Sequence, residues 1–154
     1  MTSQIKLKKA STEHSDFIYQ ALKEMAVEEN IHDRFSLTRE DLDSALSTEV
    51  AEAVLAFSND IPVGLVLFSM TNRNFDFFKG PGIYIHDIYV SPSARRQKIG
   101  TQLLHEVEKI ARDRKCSRVD WVLLKNNKAG GEFYKAINKA KEVDYIHYMR
   151  MAID

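Results

Sequence analysis

Arg95, Arg96 and Lys98 place three cations within four residues, directly ahead of Ile99 and Gly100. Before them, Ile83, Ile85, Ile88 and Val90, with Tyr84 and Tyr89, have the β-branched and aromatic character of a buried strand. Pro92 removes a ladder donor and ends that strand. After them, apolar residues recur at Leu103, Leu104, Val107, Ile110 and Ala111, which is helical spacing. The cations therefore stand where a strand hands over to a helix N-terminus. Unpaired N–H groups and the positive end of the helix dipole both favour an anion there. A solvated charged loop is the alternative for the cations alone; the strand–Pro–cation–Gly–helix order favours a phosphate site. Neither G-x-x-x-x-G-K-[ST] nor G-x-G-x-x-G occurs, so the phosphate belongs to another ligand class.

Other side chains suited to chemistry lie nearby in the sequence. His86 and Asp87 fall in the middle of the same strand. An imidazole with a pKa near 6.5 accepts a proton at neutral pH. Successive strand residues face opposite sides, so only one of this pair is expected to enter a given cleft. The alternative for His86 is a histidine satisfied by neighbouring strands. Glu28, Glu29, Asp33 and His32 cluster where the first helix should end. Carboxylates at a cleft rim attract and orient a cation, while an ordinary solvated helix end is the competing reading. His14, His32, His105 and His147 show no metal-ligand spacing, so no metal is expected.

These residues need a scaffold, and 154 residues suffice for one domain, 1–154. Lys+Arg and Asp+Glu both number 22, so no basic excess suggests a nucleic acid or a membrane surface. No apolar run approaches transmembrane length, and Met1-Thr2-Ser3-Gln4 lacks a signal-peptide pattern. The single cysteine, Cys116, excludes an internal disulfide and fits a reducing cytoplasm.

The order of elements begins with a strand at Ile5–Lys9 and a helix capped by Thr12 running to about Glu29. A short helix capped by Thr38, with Asp41 in its first turn, should run to about Leu46. Residues 53–57 and 62–70 read as a hairpin around Asn59-Asp60, with Gly64 marking a bulge or a close backbone approach. An aromatic loop, 72–82, precedes the key strand. Beyond the helix from Ile99 to about Arg114 come a strand at Arg118–Leu124, a helix at about Lys128–Ile137 and an alternating last strand, Tyr145–Met151. The expected class is α/β (α+β), with helices on both faces of a central sheet.

The segment I-Y-I-H-D-I-Y-V-S-P-S-A-R-R-Q-K-I-G-T-Q-L-L at 83–104 resembles the strand, pyrophosphate loop and helix of GCN5-related N-acetyltransferases (GNAT). R-V-D-W-V-L-L-K-N-N-K-A-G-G-E-F-Y at 118–134 resembles that family's later strand, Asn and Phe-Tyr pair. Residues 23–42 are most similar to the diamine (spermidine/spermine) branch. The resemblance implies a mixed, mostly antiparallel sheet whose strands ending near Val90 and Leu124 splay apart around the pantetheine arm of acetyl-CoA. It implies backbone contacts from Ile88, Tyr89 and Val90, with Ile88 or Tyr89 N–H polarising the thioester. The diphosphate would lie on the N–H groups of Arg96, Gln97, Lys98, Ile99, Gly100 and Thr101, with Arg95 a further cofactor contact, and Asn127 would contact the pantetheine side. An ordinary strand-end turn is the other reading of Asn127.

The same resemblance implies Tyr134 as the acid serving the departing thiolate, with core packing of a helix aromatic as its alternative. His86 replaces a branch carboxylate and would serve as a water-linked base. Glu28, Glu29, Asp33 and Asp87 would hold the acceptor amine. One departure stands out: the first loop glycine of the family is Lys98 here, losing the clearance glycine gives a phosphate. The implied protein is a cytoplasmic acetyltransferase for a small primary amine such as a polyamine, and a homodimer. An amino acid, aminoglycoside or protein amine remains an alternative acceptor, as does a catalytically weak CoA-binding module. The aromatic residues Phe75, Phe77 and Phe78 would form a dimer surface or a substrate lid.

Overall fold

In a computed structural model, residues 4–137 and 139–153 are described. The chain divides into two compact units, one reaching Val122 and one beginning at Leu123.

The first unit holds β1 (Ile5–Lys9), α1 (Ser15–Glu28), α2 (Arg39–Ser47), β2 (Glu52–Ser58), β3 (Ile61–Thr71), β4 (Gly82–Val90), α3 (Ile99–Asp113) and β5 (Arg118–Trp121). Its sheet has the order β1-β2-β3-β4-β5. The first three pairings are antiparallel and β4–β5 is parallel. Strand alternation sorts the core into two layers. Leu55, Leu65, Leu67 and Tyr89 pack with Ile18, Ala21 and Leu22 of α1 and Leu42 of α2. Val54, Val66, Phe68, Ile83 and Ile85 point the other way, toward the buried stripe Ile99, Leu103, Leu104, Val107 and Ala111 of α3. Each of these larger side chains contributes roughly 1.5–3 kcal/mol on burial.

Local chemistry explains the element ends. Asn59 and Asp60 both have positive φ, 50° and 65°, the geometry of a two-residue hairpin turn. Thr38 accepts from the Asp41 N–H and caps α2. Ala56 pairs with Gly64 and Phe57 with Pro62, so Val63 is an inserted residue and β3 bulges. A Cβ on Gly64 would lie 3.0 Å from the Tyr89 carbonyl and 3.3 Å from Ile99 Cγ2. Glycine there lets the first turn of α3 close onto the sheet, which positions the loop before it.

Three expectations change. Ser11 rather than Thr12 opens the first helical segment, because His14 Nδ1 accepts the Ser11 N–H at 3.1 Å and winds residues 12–14 into a 3₁₀ turn before α1. β5 ends at Trp121 instead of Leu124. It pairs only with Gly82–Ile85, and β4 loses its register just beyond. Residues 145–151 form no strand, and Tyr145, Tyr148, Met149 and Met151 are exposed. Alternation makes a strand only when a partner edge supplies the ladder.

The second unit contains α4 (Lys128–Lys135), close to the expected helix. Among the described residues, no helix is long and apolar enough to cross a membrane.

Candidate active site

The site begins with an interruption in β4. Ile85 pairs with Phe68 and Asp87 with Leu67, leaving His86 as an extra residue without a β3 partner. Such a bulge resets the alternation by one. Tyr84, opposite Ser69, and Asp87, opposite Leu67, therefore lie on one face, that of α1 and α2. His86 joins them, because its Nε2 lies 2.7 Å from Ser69 Oγ. The expectation that only one of His86 and Asp87 enters a given cleft is thus corrected. The apolar pattern carried a signal for this: Ile83 and Ile85 occupy odd positions, Ile88 and Val90 even ones.

The His86 imidazole stands edge-on to the Tyr84 ring, with centroids 5.2 Å apart. Burial holds its pKa below the usual 6.5, so the ring is neutral and ready to accept a proton at pH 7. Burial also pushes the Asp87 carboxyl up to about 6, and the charge of Glu29 adds to the effect. Glu29 is itself raised, first by burial and then by Glu28. Three carboxylates of the predicted amine site thus interact. Asp33 stands apart from them as an exposed residue of the turn at His32–Arg34.

The raised Asp87 pKa has a stability consequence. Between its unfolded value near 3.9 and about 6, the folded protein binds more protons than the unfolded chain. Stability therefore falls as pH rises through that window. The cost above pH 6 is about 3 kcal/mol. Asp87→Asn should recover much of it at pH 8 and little at pH 4, as read by urea denaturation at the two pH values.

Arg95 and Glu28, expected on phosphate and amine respectively, are joined. Arg95 Nη2 lies 2.8 and 3.0 Å from the two Glu28 oxygens, and Arg95 Nε donates to the Val90 carbonyl at 2.9 Å. Beneath them the Tyr89 hydroxyl donates to Glu24 at 2.5 Å, a contact the sequence did not reveal. Burial and Glu24 push that phenol up to about 12.

The loop that follows has Arg96 and Lys98 at positive φ, 67° and 61°, on either side of Gln97. The first bond of α3 runs from Gln102 N–H to the Lys98 carbonyl. The N–H groups of Ile99, Gly100 and Thr101 thus have no helical acceptor, the arrangement by which a helix start can hold an anion. Lys98 is its left-handed N-cap, which accounts for the family's glycine there: a side chain in this conformation costs roughly 1–2 kcal/mol. Lys98→Gly should raise stability by about 1 kcal/mol after the added backbone entropy is subtracted. Equilibrium unfolding checks the sign.

The edge of β4 supplies further donors. Ser91 N–H donates to the Val63 carbonyl at 2.8 Å, which sets the phase of the β3–β4 ladder. Tyr89 and Asp87 then bond toward β3, whereas the backbone of Ile88 and Val90 faces the β5 side. β5 pairs no farther than Ile85, so among the described residues that edge has no strand partner. Of the Ile88 and Tyr89 amides, only that of Ile88 faces this edge, because Tyr89 bonds toward β3.

In the second unit, Asn127 Oδ1 caps α4 by accepting the Gly130 N–H at 2.9 Å. Tyr134 lies on α4 with its ring 5.0 Å from that of Phe133. Cys116 is half-buried and its thiol is pushed up by burial, which disfavours a thiolate nucleophile. Among the described residues, no group of three or more His, Cys, Asp or Glu is arranged to hold a metal. Phe75 and Phe77 are exposed, while Arg118 lies over the Phe78 ring at 4.4 Å.

A bulged strand and a cationic helix N-terminus thus stand together in the first unit. Residues 16–138 match the acetyltransferase (GNAT) family, and the chain belongs to it. It is an acetyl-CoA-dependent N-acetyltransferase. Thialysine N-epsilon-acetyltransferase of Bos taurus is 29% identical over 127 residues, covering 78% of this chain and 75% of that protein. The Caenorhabditis elegans protein of the same name is 24% identical over 135 residues, covering 88% and 79%. A solved possible acetyltransferase from Clostridium difficile 630 superimposes with a TM-score of 0.80 at 19% identity, covering 97% of this chain and 99% of that one. An aminoglycoside N-acetyltransferase in complex with CoA gives 0.76 at 16%, covering 99% and 98%.

Proposed function

We propose that this acetyltransferase acts on a small primary amine bearing a second positive charge, such as a polyamine or an aminoalkyl amino acid like thialysine. The observation that carries this reading is the bulge at His86, which brings a neutral imidazole and a half-buried carboxylate to one face of β4. An alkylamine has a pKa near 10 and must lose a proton before it can attack. Asp87 and Glu29 hold the cationic acceptor, and His86 Nδ1 takes the proton, directly or through water.

Acetyl-CoA supplies the activated acetyl group. The Ile88 N–H donates to the carbonyl oxygen as charge develops on it. The N–H groups of residues 99–101, with Arg96 and Lys98, hold the diphosphate. Arg95 and Glu28 remain proposed contacts, and their mutual ion pair must open for either to reach a ligand. Asn127 and Tyr134 carry the pantetheine and thiol-protonating roles on their motif positions, and Asp33 the rim role on its branch position. A homodimer and a cytoplasmic site of action belong to the same proposal.

The test is thiol release from acetyl-CoA with a panel of amines of similar length. Diamines, polyamines and thialysine should react fastest, and amines with a neighbouring carboxylate but no second cation slowest. Acetyl-CoA binding without turnover of any amine would support the weak CoA-binding module instead.

A further inference from the structure

His86 reaches beyond its own strand, and its partner defines which ring nitrogen can work. Ser69 of β3 lies 2.7 Å from His86 Nε2 and donates its hydroxyl proton to the Val50 carbonyl, also at 2.7 Å. A hydroxyl has one proton to give. Were Ser69 to donate to the imidazole instead, its lone pairs would face the Val50 carbonyl oxygen at that distance with no proton between them. The bond to His86 must therefore run the other way, from Nε2–H to Ser69 Oγ.

We propose that Ser69 is a positioning residue that fixes His86 in the Nε2–H tautomer and so leaves Nδ1 as the basic atom. This rests on the reading of His86 as the base. Among the described residues Nδ1 has no hydrogen-bond partner. The Tyr84 ring edge at 5.2 Å limits rotation of the imidazole. The chain from His86 through Ser69 to Val50 also survives protonation: the imidazolium keeps the same Nε2–H bond and gains its new proton at Nδ1. No reorientation is needed when the proton arrives, which is the property a preorganised base requires. Nothing in the sequence pointed to Ser69, which is an ordinary strand residue until the β4 bulge swings His86 onto it.

The test pairs ring NMR with kinetics on the full chain, comparing wild type, Ser69→Ala and Ser69→Thr. With ¹⁵N-labelled histidine, the neutral His86 ring of the wild type should show a slowly exchanging proton on Nε2. Ser69→Ala should lose that protected resonance and lower kcat roughly tenfold, with acetyl-CoA affinity unchanged. Ser69→Thr, which keeps the hydroxyl, should restore both. A wild-type ring protonated on Nδ1 would overturn the inference, as would a Ser69→Ala enzyme with full kcat. The ring measurement needs no substrate, so it decides the tautomer even if no amine in the panel is acetylated; that second result would count against the acceptor reading alone.

Discussion

His86→Ala should lower kcat at least about a hundredfold at saturating acetyl-CoA and amine, with acetyl-CoA affinity essentially unchanged. General-base catalysis by a positioned group contributes about 10²–10⁴ in rate. His86 meets both requirements for it. Its pKa lies below that of a free imidazole, so the acceptor form dominates at neutral pH. Its ring is held by Ser69 and Tyr84 on the face that also carries Asp87. His86 is exposed as a residue although its imidazole is partly desolvated, so its removal leaves no core cavity and the variant should fold. Steady-state rates together with calorimetric titration of acetyl-CoA check the two halves. A variant that keeps its full rate would assign deprotonation to Asp87 or to solvent.

The second large effect concerns stability. Arg114→Met should cost 3–5 kcal/mol, because it strands a buried carboxylate. Glu52 is only 4% exposed, and both of its oxygens receive an Arg114 donor at 2.7 Å. Lys9 at 3.4 Å is largely exposed and replaces little of that. The Arg114 hydrogen bonds hold the Glu52 carboxyl below its ordinary range. The stabilisation is therefore present above the unfolded carboxylate pKa of about 4.3 and is lost as pH falls through the folded value. Unfolding at pH 7 should show a drop in Tm of about 10 °C, shrinking toward pH 4. A combined Glu52→Leu and Arg114→Met variant should recover most of the loss, because an apolar pair strands no charge. The pair joins the start of β2 to the C-terminal end of α3, opposite the end that follows the cation-bearing loop.

Much of this architecture was legible in the residues. The stripe on α3, the Asn59-Asp60 hairpin and the Thr38 cap each follow from local physics, and each lies where expected. The position of the cation-bearing loop ahead of α3 was legible for the same reason, since a helix start declares itself in a few consecutive residues. What escaped depended on pairing between distant segments. The slip from Ile85 to Ile88 marked a bulge, but the strand that fixes its register is β3. The Ser69–His86 contact and the Arg95–Glu28 ion pair join residues 17 and 67 positions apart, and neither residue type announces its partner. The alternation at 145–151 misled for the converse reason: its period fits a strand, but period alone does not supply a ladder, and the described residues there form no strand.

The most direct measurement is the pH dependence of kcat/KM for the best amine, in wild type and in His86→Ala. With deprotonation by His86, the wild-type curve should rise to a plateau with its midpoint below pH 6.5, and His86→Ala should lose that limb. A wild-type curve that climbs without a break toward the amine's own pKa of about 10, matched by the variant, would contradict the assignment of the base.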